Sequence, residues 1–452
     1  MNSQKDLVLG LDIGTSSIKF LLLNLLNNKI EYDHKISTNS ARILTENSKF
    51  DEQNVQVILE LIQEGFNKIP FESLQRLNSI QLCGQMHGVV LWNKESKKHS
   101  NLITWQDERC DSEFLKSLPV KSISDLSTGF GCASLFWLEF NSLLKESNFD
   151  SAGTIHDYVT FLLSNQNLMS NQNALSWGYF DLKQNSWQMD LVKSDKFPSN
   201  LLPKVDFPGH KMSHQVLLLD NFIKLDSIIY NALGDLQCSV MSCLENETDC
   251  VINISTSAQI CVSVDSVYYE TIKNELPLSV TCYPYFKNRV LLVSASLNGG
   301  NVLEKFVDSI LNWQKELLGD LSVSRDQVWK KLVDLGLKSN SSLICEPILF
   351  GERHDMKKYA SICNIQHDNF SLGQVFKSIC DGLARNLHQM ITKELILNKL
   401  KCKRIIATGG ALCRNSVLRS SLESEFNYIP IFYKESADAA YGAALFLKSL
   451  IR

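Results

Sequence analysis

The segment Leu7-Val-Leu-Gly-Leu-Asp-Ile-Gly-Thr-Ser-Ser-Ile-Lys-Phe-Leu-Leu-Leu23 leaves few folds open to this chain. It reads as an apolar strand, a turn of small residues and a second apolar strand, with one carboxylate, Asp12, at the end of the first strand. Gly14, Thr15 and Ser16 offer backbone N–H groups and hydroxyls to phosphate oxygens, and Asp12 is placed to hold a hydrated Mg²⁺ beside them. An ordinary β-turn uses the same small polar residues but has no need of Asp12. Far downstream, Asp249-Cys-Val-Ile-Asn-Ile-Ser-Thr-Ser-Ala-Gln-Ile-Cys-Val-Ser-Val264 repeats the plan, with Ser255, Thr256 and Ser257 at the turn. A hairpin of this kind met twice points to a duplicated fold.

Duplication fits the length. A chain of 452 residues is too long for one core at about 150 residues per domain. The two patterns separate near residues 240–248, which gives an N-terminal domain over 1–245 and a C-terminal domain over 246–452. With 44% hydrophobic and 21% charged residues the chain is an ordinary globular one, and 9 Pro and 21 Gly leave no long disordered stretch. Forty-five basic residues against 49 acidic give a net charge of -4 with no basic run, so no nucleic-acid partner is expected. The N-terminus reads as having no signal peptide, and the apolar run Phe20 to Leu26 is broken by Asn24 and too short to span a bilayer. The 13 Cys, without a C-x-x-C pair, read as reduced, buried thiols. A cytoplasmic location without membrane partners follows as the expectation.

Strands and helices alternate along both halves, which argues an α/β architecture. Val55, Ile58, Leu59, Ile62 and Phe66 recur at helical spacing within Asn54–Ile69. The strand Ser79–Gly84 follows, delivers Gln85-Met-His-Gly88 to its end, and leads into a strand over 89–92. In the second half a strand over 289–294 precedes the turn Asn298-Gly-Gly-Asn301 and a helix over 302–318. A long amphipathic helix spans 372–395, and the strand Arg404–Thr408 ends in Gly409-Gly410.

Two phosphate-gripping hairpins and a Gly-Gly turn would surround a nucleotide, with ATP the natural occupant. The sequence contains neither G-x-x-x-x-G-K-[ST] nor G-x-G-x-x-G, which removes support for P-loop enzymes, protein kinases and dinucleotide dehydrogenases. Phosphoryl transfer to an alcohol needs a base, and Asp235, in Asn231-Ala-Leu-Gly-Asp-Leu-Gln237 at the boundary between the halves, is the candidate. Gln85, Met86 and His87, with Trp105, Asp107 and Arg109 in Thr104-Trp-Gln-Asp-Glu-Arg109, form two polar clusters suited to a polyol: hydrogen-bonding groups for hydroxyls and an indole for the carbon backbone.

These motifs together resemble the FGGY carbohydrate kinases over nearly the whole chain. Asp-Ile-Gly-Thr-Ser-Ser at 12–17 looks like that family's first phosphate motif, Ser255-Thr-Ser257 its second, and Thr408-Gly-Gly-Ala-Leu-Cys-Arg-Asn415 its adenosine motif. Gly234-Asp235 matches the position of its catalytic base, and Phe350-Gly-Glu-Arg353 and Ala437-Asp-Ala-Ala-Tyr-Gly-Ala443 match further blocks. The resemblance implies two actin/hexokinase/Hsp70-type (ribonuclease H-like) ATPase domains of α/β class with a nucleotide cleft between them. It implies that ATP meets Gly14, Thr15, Ser16, Lys19, Ser255, Thr256, Ser257, Gly409, Gly410 and Asn415, with Mg²⁺ on Asp12 through water. Gln85, Met86, His87, Trp105 and Asp107 would hold the sugar, and Asp235 would take its proton.

Phrases such as Cys83-Gly-Gln-Met-His-Gly88, Thr128-Gly-Phe-Gly-Cys-Ala133 and Gly351-Glu-Arg-His354 are similar to the family members that act on a seven-carbon ketose. Sedoheptulose or a related ketose is the implied small-molecule partner, for a monomer or homodimer. Two departures stand out: Ser255 replaces a frequent Gly, and residues 129–140 lack the usual Lys ahead of Phe136-Trp137. A different ketose or polyol kinase of the family, such as a xylulokinase, and a non-catalytic actin- or Hsp70-like nucleotide switch are the alternatives.

Overall fold

The computed structural model describes residues 5–119, 126–145, 147–193, 196–214, 216–217, 224–319, 323–352 and 355–451. Two compact units result: Met1–Ser242 with Asp438–Arg452, and Cys243–Ala437. Among the described residues no helix is long and apolar enough to cross a membrane.

In the first unit, strands β1 (Leu7–Ile13), β2 (Ser17–Asn24) and β3 (Ile30–Ser37) form an antiparallel meander. Helix α1 (Val55–Lys68) starts where the Asn54 side chain accepts the Val57 N–H at 3.2 Å. Val55, Ile58, Leu59, Ile62 and Phe66 are its buried stripe, and Phe66 meets Phe20 of β2 edge to face at 5.5 Å between ring centroids. Truncating a ring buried this way costs about 3–5 kcal/mol. The crossover through α1 lets β4 (Leu77–Gly84) lie parallel to β1. A separate cluster including Cys132, Phe136, Trp177, Tyr179 and Phe197 forms a second core in this unit. Strands β5 (Lys211–Ser213), β6 (Ile228–Tyr230) and β7 (Leu233–Gly234) complete a seven-stranded sheet in the order β5-β6-β4-β1-β2-β3, with β7 also on β4. Helix α2 (Asp235–Cys243) leaves directly from β7.

The second unit repeats the plan. Strands β8 (Asp249–Ile254), β9 (Ala258–Asp265), β10 (Val280–Pro284) and β11 (Arg289–Ser296) pair antiparallel with one another, and helices α3 (Gly300–Leu318), α4 (Arg325–Leu337) and α5 (Leu372–Met390) follow. Strand β12 (Arg404–Thr408), helices α6 (Gly410–Arg414) and α7 (Ser416–Glu425) and strand β13 (Ile431–Tyr433) finish it. The sheet order is β10-β11-β9-β8-β12-β13, with β12 parallel to both β8 and β13. In each unit, then, a hairpin lies beside a parallel strand that carries a functional loop at its end. The expected helix over 372–395 stops at Met390 because Ile391 turns extended, and a π-helical stretch, Leu395–Lys399, follows.

The expected second domain, 246–452, needs correction at its end, because Asp438–Arg452 belongs to the first unit. Helix α8 (Ala439–Ile451) packs Ala440, Ala444 and Leu447 on Val8, Leu21 and Leu23. Gly10 permits this close approach, since a Cβ there would lie 1.9 Å from the Ala440 carbonyl oxygen. The expectation of buried thiols is corrected at three positions: Cys363 is exposed and Cys282 and Cys413 are partly so.

Candidate active site

Three carboxylates and one ammonium converge in the first unit. Asp12, next to last in β1, faces Lys19 across β2 and Cys83 across β4. Burial and the charges of Asp235 and Asp438 push its carboxyl up to about 8. Among the described residues no group of three or more His, Cys, Asp or Glu is placed to hold an ion directly, so a Mg²⁺ here would be held by Asp12 through water. Lys19 is paired with Asp438 and lies 3.7 Å from Asp33. Burial disfavours its ammonium, yet Asp438, Asp33 and Asp12 outweigh that and hold its pKa above the ordinary value. Asp438 itself caps α8, its Oδ1 accepting the Tyr441 N–H at 3.1 Å.

Asp235 opens α2, and its Oδ1 accepts the Leu236 N–H at 2.8 Å. Burial outweighs that bond and raises the carboxyl to about 6. Such a group is ionised at neutral pH and still close enough to it to take a proton, which suits a general base.

The polar cluster expected on a sugar is joined to this site. Gln85 follows β4, its N–H bonded to the Ile13 carbonyl at 3.0 Å. Met86 is 5% exposed and packs beside Gly234, the residue before Asp235. His87 has φ 72° and stacks on Phe130 with ring centroids 4.6 Å apart. Its Nδ1 is 2.6 Å from the Ser176 carbonyl oxygen, which can only accept, so Nδ1 carries a proton. Trp105 is 42% exposed, with its Nε1–H donated to the Thr15 hydroxyl at 2.9 Å.

Asp107 departs from the expectation. It is 1% exposed, and its oxygens accept from the Asp51 N–H and from the Arg109 N–H, Nε and Nη2 at 2.7–3.0 Å. Its acceptor capacity is used up in bracing the loop after Trp105, so it is corrected from a sugar ligand to a scaffold residue. Arg109 serves the same brace, lying over the rings of Phe50 and Trp137 at 4.5 and 5.2 Å.

In the second unit a cavity of about 670 Å³ is lined by Ser255, Thr256, Gly410 and Asn415 among the expected residues. Ser257 and Gly409 do not line it. Thr256 is exposed at the tip of the hairpin. Ser255 is partly corrected: its hydroxyl donates to Asn253 Oδ1 at 3.0 Å and accepts the Gly410 N–H at 3.3 Å, tying the hairpin to the turn after β12. Asn415 caps α7, its Oδ1 accepting from Val417 and Leu418, so its side-chain oxygen is occupied. Trp329 and Val333 of α4 and Leu303 of α3 give the cavity an apolar wall, while Glu304, Lys305, Asp326 and Asp334 make it polar elsewhere. Periodicity places the side chains on α3, but no local motif marks Trp329. Arg353 and His354 of the Phe350 block lie outside the described residues; Glu352, beside them, is fully buried, accepting from Ser296, Asn298 and Asn386.

Asp438 is the residue that sequence reasoning missed. Its block stood out only by resemblance, and nothing local shows that an aspartate so far along the chain meets Lys19.

Residues 7–240 match the N-terminal domain of the FGGY family of carbohydrate kinases. The chain is 36% identical to a sedoheptulokinase of Mus musculus and 36% identical to one of Homo sapiens, in each case over 98% of this chain and 97% of the relative. The crystal structure of xylulose kinase from Rhodospirillum rubrum superposes with a TM-score of 0.80 at 16% identity, covering 98% of this chain and 90% of that one, a likeness of fold. The two-unit α/β architecture is that of the actin/hexokinase-type ATPases, and the chain is an enzyme that belongs to the FGGY family of carbohydrate kinases.

Proposed function

We propose that the enzyme transfers the γ-phosphoryl group of ATP to the terminal hydroxyl of sedoheptulose, giving sedoheptulose 7-phosphate and ADP. The full-length likeness to two sedoheptulokinases carries the choice of sugar. Asp235 takes the proton from the attacking hydroxyl, whose oxygen bonds to the γ-phosphorus as the bond to the ADP oxygen breaks. Its raised pKa supports that role, because a base near neutrality is both ionised and basic enough. Gln85 and His87 lie toward the sugar hydroxyls, and Trp105 offers its exposed face to the carbon chain. Lys19 and the N–H groups of Thr15 and Ser16 hold phosphate oxygens. Within the second unit, Thr256 and the cavity are suited to nucleotide atoms. Asp12 would hold Mg²⁺ through water, and the bound ion would supply charge neutralisation at the phosphates.

ADP release with MgATP against sedoheptulose, xylulose, ribulose, glycerol and no sugar tests this reading. Turnover favouring sedoheptulose is expected. Preference for xylulose would transfer the site to a xylulokinase, and hydrolysis indifferent to sugar would remove the sugar altogether.

A further inference from the structure

Thr15 does not offer its hydroxyl to a phosphate. Its hydroxyl donates to Gln85 Oε1 at 3.2 Å, and Thr15 Oγ1 itself accepts the Trp105 indole N–H at 2.9 Å. The Thr15 carbonyl accepts from Thr38 Oγ1 at 2.7 Å and from Gln53 Nε2 at 2.8 Å. Gln85 Nε2 in turn donates to Gln53 Oε1 at 2.9 Å, closing a ring through Thr15, Gln85 and Gln53. Gln53 and Gln85 are buried, so the indole is the exposed arm of this network. The Trp105 backbone is held by Gly129, whose φ of 75° brings it so close that a Cβ would lie 2.1 Å from the Trp105 carbonyl oxygen. With its main chain fixed and its N–H anchored on Thr15, the indole can respond to a ligand only by turning about its side-chain bonds, which strains or seats that anchor.

The turn itself is less constrained. Among the described residues the N–H groups of Thr15 and Ser16 have no protein acceptor, while Gly14 N–H is held by Ser17. The Ser16 N–H shares one peptide plane with the Thr15 carbonyl, the atom that Thr38 and Gln53 hold, and the Thr15 hydroxyl beside it is held by Gln85 and Trp105.

We infer that Thr15 is a positioning residue that couples the sugar site at Trp105 and Gln85 to the shape of the phosphate hairpin. The inference rests on the functional reading above, in which Trp105 and Gln85 meet the sugar and the hairpin meets phosphate. A sugar that fixes the indole and the Gln85 amide fixes the Thr15 hydroxyl, and with it the N–H groups that receive phosphate. By linkage, phosphate on the hairpin tightens the sugar by the same factor.

The test is calorimetric titration of the full chain with sedoheptulose, with and without saturating Mg²⁺ and the non-hydrolysable analogue AMPPNP. Wild-type turnover of sedoheptulose is measured in parallel. The nucleotide is expected to lower the sugar Kd by about 5-fold or more, at the lower end of ordinary couplings. Thr15→Ser, which keeps the hydroxyl, should retain that ratio. Thr15→Val keeps the shape without the hydroxyl, and Trp105→Phe keeps an aromatic face without the N–H; both should bring the ratio to within about 2-fold of unity. A Thr15→Val protein with the wild-type ratio overturns the inference, as does a wild-type enzyme that phosphorylates sedoheptulose yet binds it equally well with and without nucleotide. Absence of wild-type turnover overturns the functional reading and the coupling with it.

Discussion

In the β1–β2 hairpin the residue before the strand's last is Asp12, opposite Lys19 on β2 and Cys83 on β4; in the β8–β9 hairpin the same register position is Asn253, opposite Gln259 and Thr408. One backbone plan therefore carries a carboxylate in the first unit and a neutral amide in the second. Around Asp12 the charge accumulates, with Asp235, Asp438 and Lys19 all acting on it. Around Asn253 it does not: the amide oxygen accepts the Ser255 hydroxyl, and that hydroxyl secures the Gly410 turn. A bare carboxylate beside phosphates is repulsive unless a cation intervenes, so a hairpin that only binds does better with Asn, and one that must gather a metal and a base does better with Asp. On the proposed reading, the first hairpin gathers the reacting groups and the second serves the nucleotide.

The largest expected effect removes the proposed base. Asp235→Asn should lower kcat by about 10²–10⁴-fold with KM for ATP changed only a few-fold, measured by coupled ADP release. The same carboxyl sets a pH limit. Its pKa is raised, so the active ionised form is present above about 6 and is lost as pH falls through that value, giving kcat an acidic limb there.

Making the first hairpin resemble the second comes next. Asp12→Asn should lower kcat by about 10²-fold. The reverse change, Asn253→Asp, keeps the acceptor for Ser255 but puts a charge near phosphate. It should raise KM for ATP about tenfold, equivalent to ~1.4 kcal/mol of repulsion, and leave kcat within a few-fold. Smallest is Ser255→Ala, which unlinks Asn253 from Gly410 and should cost about 1 kcal/mol in urea unfolding.

Much of this was legible because it is local. Apolar runs around small-residue turns announced both hairpins, helical spacing announced α1, and Gly234-Asp235 stood out by its place at the boundary between the two halves. What was not legible is how side chains spend their hydrogen bonds. Thr15, Asp107, Ser255 and Asn415 are residue types that bind ligands, but each finds partners inside the protein, some of them far away in sequence, as Thr15 does in Gln85 and Trp105. Asp438 was hidden for the same reason, since only the packing of α8 on β1 brings it to Lys19. The terminal helix was assigned to the wrong unit because its apolar face fits either sheet by composition, and the close approach at Gly10 is a property of three dimensions.

The most direct test of this division of labour is a side-by-side measurement of kcat and KM for ATP in Asp12→Asn and Asn253→Asp, with sedoheptulose saturating. The expected result is a collapse of kcat in the first and a loss of ATP affinity with near-normal kcat in the second. A collapse of kcat in Asn253→Asp, with Asp12→Asn turning over at a near-normal rate, would contradict it.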